Sequence, residues 1–324
     1  MIKIVLIVLG VSSVLSWALP NPNHISGLDL TKYQLGADNI PIVSYDANNF
    51  NPDVTNQYHL FTRSNPLISQ PLVIGHNNIL SQSNFNNNRR TVFLIHGWLN
   101  SATSDFNREL VPVLLSVEDL NVIVVDWSIG ANSLNYRIVN TNAVKSGEAV
   151  ARFIGWLSQQ SGISLEQVHL IGHGLGGHQA GVTGRASFGK IGYITGLNPS
   201  LIGWVTNIDR LSPNDALYTE VLHTNYVHGY IGDLGHVDFY FNGGISMPGC
   251  DSNECDHDRS FLYFAESIVS GGFTGRECLN YYAAVLGMCD FHPRRLQMGG
   301  LNPKYGKTGV YYLETNPSSP YSQG

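Results

Sequence analysis

Charge is scarce in this 324-residue sequence. Asp, Glu, Lys and Arg together make up 13% of it, and the formal net charge is −6. An acidic balance argues against nucleic acid as the main partner. Disorder is excluded as well, because 43% of the residues are hydrophobic, enough for a sizeable core. Cysteine is rarer still, with four residues, Cys250, Cys255, Cys278 and Cys289. No Asn-x-Ser/Thr triplet has a permitted middle residue, so no N-glycan is expected. After the N-terminus no apolar run is long enough to span a bilayer. No transmembrane segment is expected, and no cofactor.

What is present begins with a secretory pattern. Lys3 precedes an apolar stretch from Ile4 to Leu15, and Ser16-Trp17-Ala18 has the small-x-small form of a cleavage site. The apolar stretch is shorter than the ~20 residues of a spanning helix. Residues 1–18 therefore read as a signal peptide, and the mature protein as secreted and extracellular. In that compartment an even number of cysteines implies two disulfides. Zinc is the rival reading. The 250/255 and 278/289 spacings fit no common zinc pattern, so no metal is expected.

Residues 19–56, rich in Asn, Pro and Asp, read as an irregular N-terminal arm. Tyr58 to Thr62 alternates like a strand. Thr91 to Ile95 and Val122 to Val125 are short and wholly apolar, which suits interior strands of a parallel sheet. Helical stretches are expected over Asp105 to Leu115 and Thr141 to Ser158. An apolar run then ends at His173, a helix is expected from Leu175 to Ala186, and strands over Ile191 to Leu197 and Tyr218 to His223. Loop and hairpin character is expected around His236 to Tyr240 and Asn242-Gly243-Gly244. A last helix is expected from His257 to Val269, and an edge strand from Tyr311 to Leu313. Strand-helix alternation of this kind means an α/β fold, a mostly parallel sheet with helices on both faces. Nothing looks like a repeat or a linker, so residues 19–324 read as one domain.

In such a sheet, ligands sit at the carboxyl ends of the strands. The stretch Val168-His169-Leu170-Ile171-Gly172-His173-Gly174-Leu175-Gly176 has the setting of a nucleophile elbow, G-x-S-x-G, with Gly172 and Gly176 as its flanking glycines. The serine is missing: position 174 is glycine. The amides of Trp98 and Leu175 are candidate oxyanion donors. The strand ends where an acid would stand carry Asn198 and Asn225, both amides. In a serine-protease triad, replacing the acid by its amide costs about 10⁴ in turnover. Removing the nucleophile of another costs about 10⁶, and the two losses overlap. Ser128, Ser133, Ser200 and Ser260 all lie off the elbow. Asp126 reads as structural, and His96 as a support of the oxyanion loop. His173 and His178 read as surface or supporting positions.

Thr91 to Trp98, Val122 to Trp127, the elbow, Ile194 to Pro199, Val221 to Thr224 and Gly235 to Gly244 together resemble the pancreatic lipase family. They are most similar to its short secreted insect members and venom phospholipases A1. The resemblance runs from about Tyr58 to the C-terminus. It implies an α/β-hydrolase fold, with serine at 174 and aspartate at 198, and the sequence departs from the pattern at both. It implies a base in Cys255-Asp256-His257, so His257 is the one triad residue retained. It also implies disulfides Cys250–Cys255 and Cys278–Cys289, the first closing a lid. Asp251 to Glu254 are too few and too polar for an amphipathic lid helix. The family's C-terminal β-sandwich domain is expected to be absent. The expected function is that of a secreted, catalytically inactive lipase homologue. It would bind or store a lipid or other apolar small molecule, or serve as a storage or interaction protein. The alternative is an ester hydrolase, of triacylglycerol lipase or phospholipase A1 type, with weak residual activity.

Overall fold

A computed structural model describes residues 46–290 and 293–324. The expected signal peptide and residues 19–45 of the expected arm lie outside the described residues. The remainder of that arm is not irregular. Asp46 caps a 3₁₀ turn, Ala47–Asn49, and Asn51 caps a short helix, Pro52–Thr55. Side-chain oxygens there satisfy the first orphan amides of each turn, which makes even such short turns viable.

Eleven strands form one sheet: β1 Gln57–Phe61, β2 Gln70–Leu72, β3 Thr91–Ile95, β4 Asn121–Asp126, β5 Val168–His173, β6 Tyr193–Leu197, β7 Thr219–His223, β8 Val237–Phe241, β9 Thr274–Cys278, β10 Arg295–Gln297 and β11 Gly309–Leu313. Their order is β10-β9-β11-β8-β7-β6-β5-β3-β4-β1-β2. The seven from β11 to β4 run parallel, and β1, β2, β9 and β10 pair antiparallel. Four long helices accompany it: α1 Asp105–Val117, α2 Tyr136–Ser161, α3 Leu175–Ala186 and α4 Asn253–Ser270.

The apolar strands are buried because both faces are covered. Side chains of a strand alternate between faces. On β3 and β4, Phe93, Ile95, Ile123 and Val125 enter one core with Val150, Phe153 and Ile154 of α2 and Ala180 of α3. Val92, Leu94, Val122 and Val124 enter the other, with Phe106 and Leu110 of α1 and Phe261 and Phe264 of α4. Each such side chain stabilises the fold by about 1.5–3 kcal/mol relative to exposure.

Three further expectations need correction. Val237–Phe241 is a fully buried parallel strand, where loop and hairpin character was expected. Its Asp238 is tolerated because it accepts from the Leu234 and Gly235 amides and from His223. Gly309–Leu313 is interior, since β9 and β10 lie beyond it. Finally, α4 starts at Asn253, four residues before His257. Ser252 caps it by accepting from the Cys255 amide, and Glu254 and Asp256 favour its positive end. Both disulfides form, Cys250–Cys255 and Cys278–Cys289. Residues 251–254 serve as the cap and first turn of α4.

Candidate functional site

β5 ends at His173 and α3 begins at Leu175, so the whole reversal is made at one residue. Gly174 adopts φ 57° and ψ −117°, a conformation that L side chains rarely adopt. The two glycines around it are required by close approach. A Cβ at Gly172 would collide with the carbonyl of Gly176, and one at Gly176 with the carbonyl of Ile95. The loop after β3 packs on the same turn: a Cβ at Gly97 would lie 3.1 Å from the His173 carbonyl oxygen. That loop carries Trp98, whose indole donates to the Ser133 carbonyl at 2.7 Å and whose ring rests on Tyr136. Leu175 is the first residue of α3, so its N–H is one of the orphan donors of a helix start.

α4 brings His257 to this turn. Its Nε2 lies 3.0 Å from the point where a Gly174 Cβ would stand. Its Nδ1 meets Asn198 Nδ2 at 2.7 Å, just past the end of β6. The orientation of the Asn198 amide is set from behind. Asn198 Oδ1 accepts from the Thr224 amide at 3.0 Å and from the Asn225 amide at 3.2 Å. An oxygen held by two backbone donors leaves only the NH₂ group to face His257. His257 Nδ1 must then accept, and the single proton of the neutral ring sits on Nε2, aimed at Gly174. Burial, then the neighbouring His173 and His228, hold its pKa well below the ordinary imidazole range. The ring is therefore neutral under ordinary conditions.

His173 and His178 are not at the surface, contrary to one of the two expectations for them. His173 is 2% exposed; it stacks on Phe106, contacts the His257 ring and is pushed down to about 4 by burial. His178 is fully buried under Trp204, faces the Ser200 carbonyl through Nε2 and accepts the Leu211 amide at Nδ1. Its pKa falls to about 3, again through burial. His96 accepts the Trp127 amide at Nε2, and its Nδ1 lies 2.9 Å from the Gly97 carbonyl, so it braces the Trp98 loop. Asp126 accepts the Ala102 and Ser128 amides. Asn225 reaches Asn253 and Asp256, and no hydrogen bond joins it to His257 among the described residues.

Of the serines, Ser200 alone is brought to the turn. Its Oγ lies 3.5 Å from the Gly174 Cβ position, while Ser260 donates to the His257 carbonyl behind the ring. His228, 5.7 Å from His257 between ring centroids, was not singled out in the sequence. It lies in a loop with no periodicity to mark it. An apolar cavity of about 370 Å³, lined among others by Phe61, Leu67, Val111 and Val124, lies beside α1. Another of about 540 Å³ opens beside Tyr136 and Ile202. Among the described residues no His/Cys/Asp/Glu group could hold a metal ion, and no helix is long and apolar enough to cross a membrane.

A family model described as Lipase matches residues 38–321. Pancreatic triacylglycerol lipase of Homo sapiens is 34% identical over 307 residues, covering 84% of this chain and 66% of the relative. Pancreatic lipase-related protein 2 of Homo sapiens is 34% identical over 258 residues, covering 71% of this chain and 55% of the relative. The chain thus spans about two thirds or less of the length of these curated relatives. A carboxylesterase from Mesorhizobium loti overlaps 44% of this chain and 69% of its own at 14% identity and a TM-score of 0.34. The chain belongs to the lipase family, as an α/β-hydrolase similar to the pancreatic lipases.

Proposed function

We propose that this protein is a secreted, non-catalytic member of the lipase family that holds a lipid or another apolar small molecule. The observation that carries the reading is the hydrogen bond from Asn198 Nδ2 to His257 Nδ1, at a turn whose central residue is Gly174. A hydrolase of this type needs a nucleophile at 174 and a lone pair on Nε2 to take its proton. Glycine supplies no attacking atom. The Asn198 amide puts a proton where the lone pair is needed. A water standing in for the serine would meet that same N–H, so His257 is no base for it either. Ser200 meets the same obstacle, and it is not on the tight turn.

The apolar cavity of about 370 Å³ beside α1 supports a binding role, since ligand pockets fall in this range. Two disulfides support an oxidising, extracellular compartment. Two measurements test the reading. Turnover of p-nitrophenyl butyrate and of a triglyceride is expected to lie more than about a hundredfold below that of human pancreatic triacylglycerol lipase assayed alongside, about 2.7 kcal/mol in barrier at 1.36 per tenfold. Turnover within that range would overturn the non-catalytic reading. Solvent extraction of the native protein, followed by mass spectrometry, is expected to release an apolar molecule; a clean blank would count against the binding role.

A further inference from the structure

We infer that the ligand held at this turn is a free carboxylic acid, bound through its carboxylate, rather than an ester. The inference rests on the non-catalytic binding reading and names the chemical class that reading left open.

The argument is a census of donors and acceptors around position 174. His257 Nε2 carries hydrogen, points at the Gly174 Cβ position from 3.0 Å and has no acceptor among the described residues. The Leu175 amide opens a helix of twelve residues, whose start favours negative charge. The Trp98 amide stands on the loop that packs against the same turn. Ser200 Oγ, 3.5 Å from the Cβ position, can donate as well. Each of these groups can present a hydrogen. The acceptors that a working triad would put here are gone, because Gly174 has no oxygen and the Asn198 oxygen is occupied by the Thr224 and Asn225 amides.

Charge points the same way. With asparagine at 198 and a neutral imidazole at 257, the line behind the turn carries no net charge. The nearest carboxylates on α4 are engaged elsewhere. Asp258 lies 3.7 Å from His173 Nε2, and Asp256 accepts the Met247 amide and faces Asn225. An aspartate at 198 would repel an incoming carboxylate and would turn the His257 lone pair toward it. Asparagine removes both obstacles in a side chain of nearly the same size. An ester carbonyl takes fewer and weaker hydrogen bonds from such donors than a carboxylate does. The selection is therefore for the acid.

The test uses the delipidated full-length protein in equilibrium dialysis against labelled oleic acid, methyl oleate and oleyl alcohol, at a pH where the acid is ionised. Oleic acid is expected to bind at least about tenfold more tightly than either neutral analogue, a difference of about 1.4 kcal/mol. That preference is expected to vanish in Asn198→Asp. Equal binding of acid and ester by the unaltered protein overturns the carboxylate assignment and leaves the apolar-ligand reading standing. Failure of all three ligands to bind overturns both. Hydrolysis of methyl oleate during dialysis overturns the non-catalytic reading instead. The comparison among ligands needs no variant, so a poorly folded Asn198→Asp does not blunt it.

Discussion

Placing serine at 174 and aspartate at 198, separately and together, gives a prediction whose sizes follow from the structure. Gly174→Ser places a side chain at φ 57° and ψ −117°, which costs about 1–3 kcal/mol at a non-glycine residue. Its Cβ would stand 3.0 Å from His257 Nε2, so the ring must also yield by a few tenths of an ångström. The variant is expected to fold with a lower Tm. Asn198→Asp should cost little, because one carboxylate oxygen keeps the Thr224 and Asn225 amides while the other accepts a hydrogen bond from His257 Nδ1–H. Activity then separates the two effects. With serine but still asparagine, Nε2 presents a hydrogen to the hydroxyl and cannot remove its proton. In a serine protease the same amide exchange costs about 10⁴ in turnover, or about 5.4 kcal/mol at 1.36 per tenfold. Hydrolysis of p-nitrophenyl butyrate by the double variant is expected to exceed that of Gly174→Ser by about that factor. A single variant within about tenfold of the double one would refute the tautomer argument. A folded but inert double variant would place the defect in the substrate groove.

Two further predictions concern stability. His173 and His178, held near 4 and 3 by burial, are neutral in the fold but take a proton near pH ~6.5 when unfolded. Their folded pKa values are depressed, so the stability they permit is complete above ~6.5 and is lost as pH falls toward the folded values, at about 1.4 kcal/mol per pH unit for each ring. Urea unfolding at about pH 5 should therefore show roughly 4 kcal/mol less stability than at about pH 7 from the two together. Asp258, raised to about 6 by burial and then by Glu254 and Asp105, acts in the opposite sense, and its 40% side-chain exposure keeps its share small. A pH-independent midpoint would contradict the buried, neutral histidines. Separately, Lys304 meets the fully buried Glu220 at 2.6 Å, and Glu220 also accepts the Tyr218 hydroxyl and the Gly299 amide. Lys304→Met leaves that carboxylate without its cation and should cost about 3–5 kcal/mol in urea unfolding; a loss under about 1 kcal/mol would show that the hydrogen bonds suffice.

Burial on both faces is what made much of this fold legible. Strands such as Thr91–Ile95 and Asn121–Asp126 carry apolar runs, Val92 to Ile95 and Val122 to Val125, because helices cover each side, and such runs stand out in a sequence. Val237–Phe241 was obscured by Asp238 and by glycines on both flanks, since nothing local announces that a buried carboxylate is held by His223 and two amides. Thr274–Cys278 and Arg295–Gln297 are short and partly exposed, with Arg276, Glu277 and Arg295 interrupting any pattern, so the strand they cover was taken for an edge. The start of α4 is set by Ser252, whose capping bond from the Cys255 amide has no apolar periodicity around it to announce a helix. At the site, the identities of Gly174, Asn198 and His257 were legible from ordered motifs. The direction of the Asn198 amide was not, because it depends on backbone N–H groups of Thr224 and Asn225 in a neighbouring loop. The same holds for Ser200 and His228, which tertiary structure alone brings to the turn.

The central claim is that Asn198 holds the His257 proton on Nε2, facing Gly174. Nitrogen-15 NMR of histidine-labelled protein reads this directly, because the protonated and unprotonated ring nitrogens of a neutral imidazole have widely separated shifts. With His257 assigned by comparison with His257→Gln, the account predicts a protonated Nε2 and an unprotonated Nδ1 at neutral pH, exchanging places in Asn198→Asp. A protonated Nδ1 in the unaltered protein would contradict it.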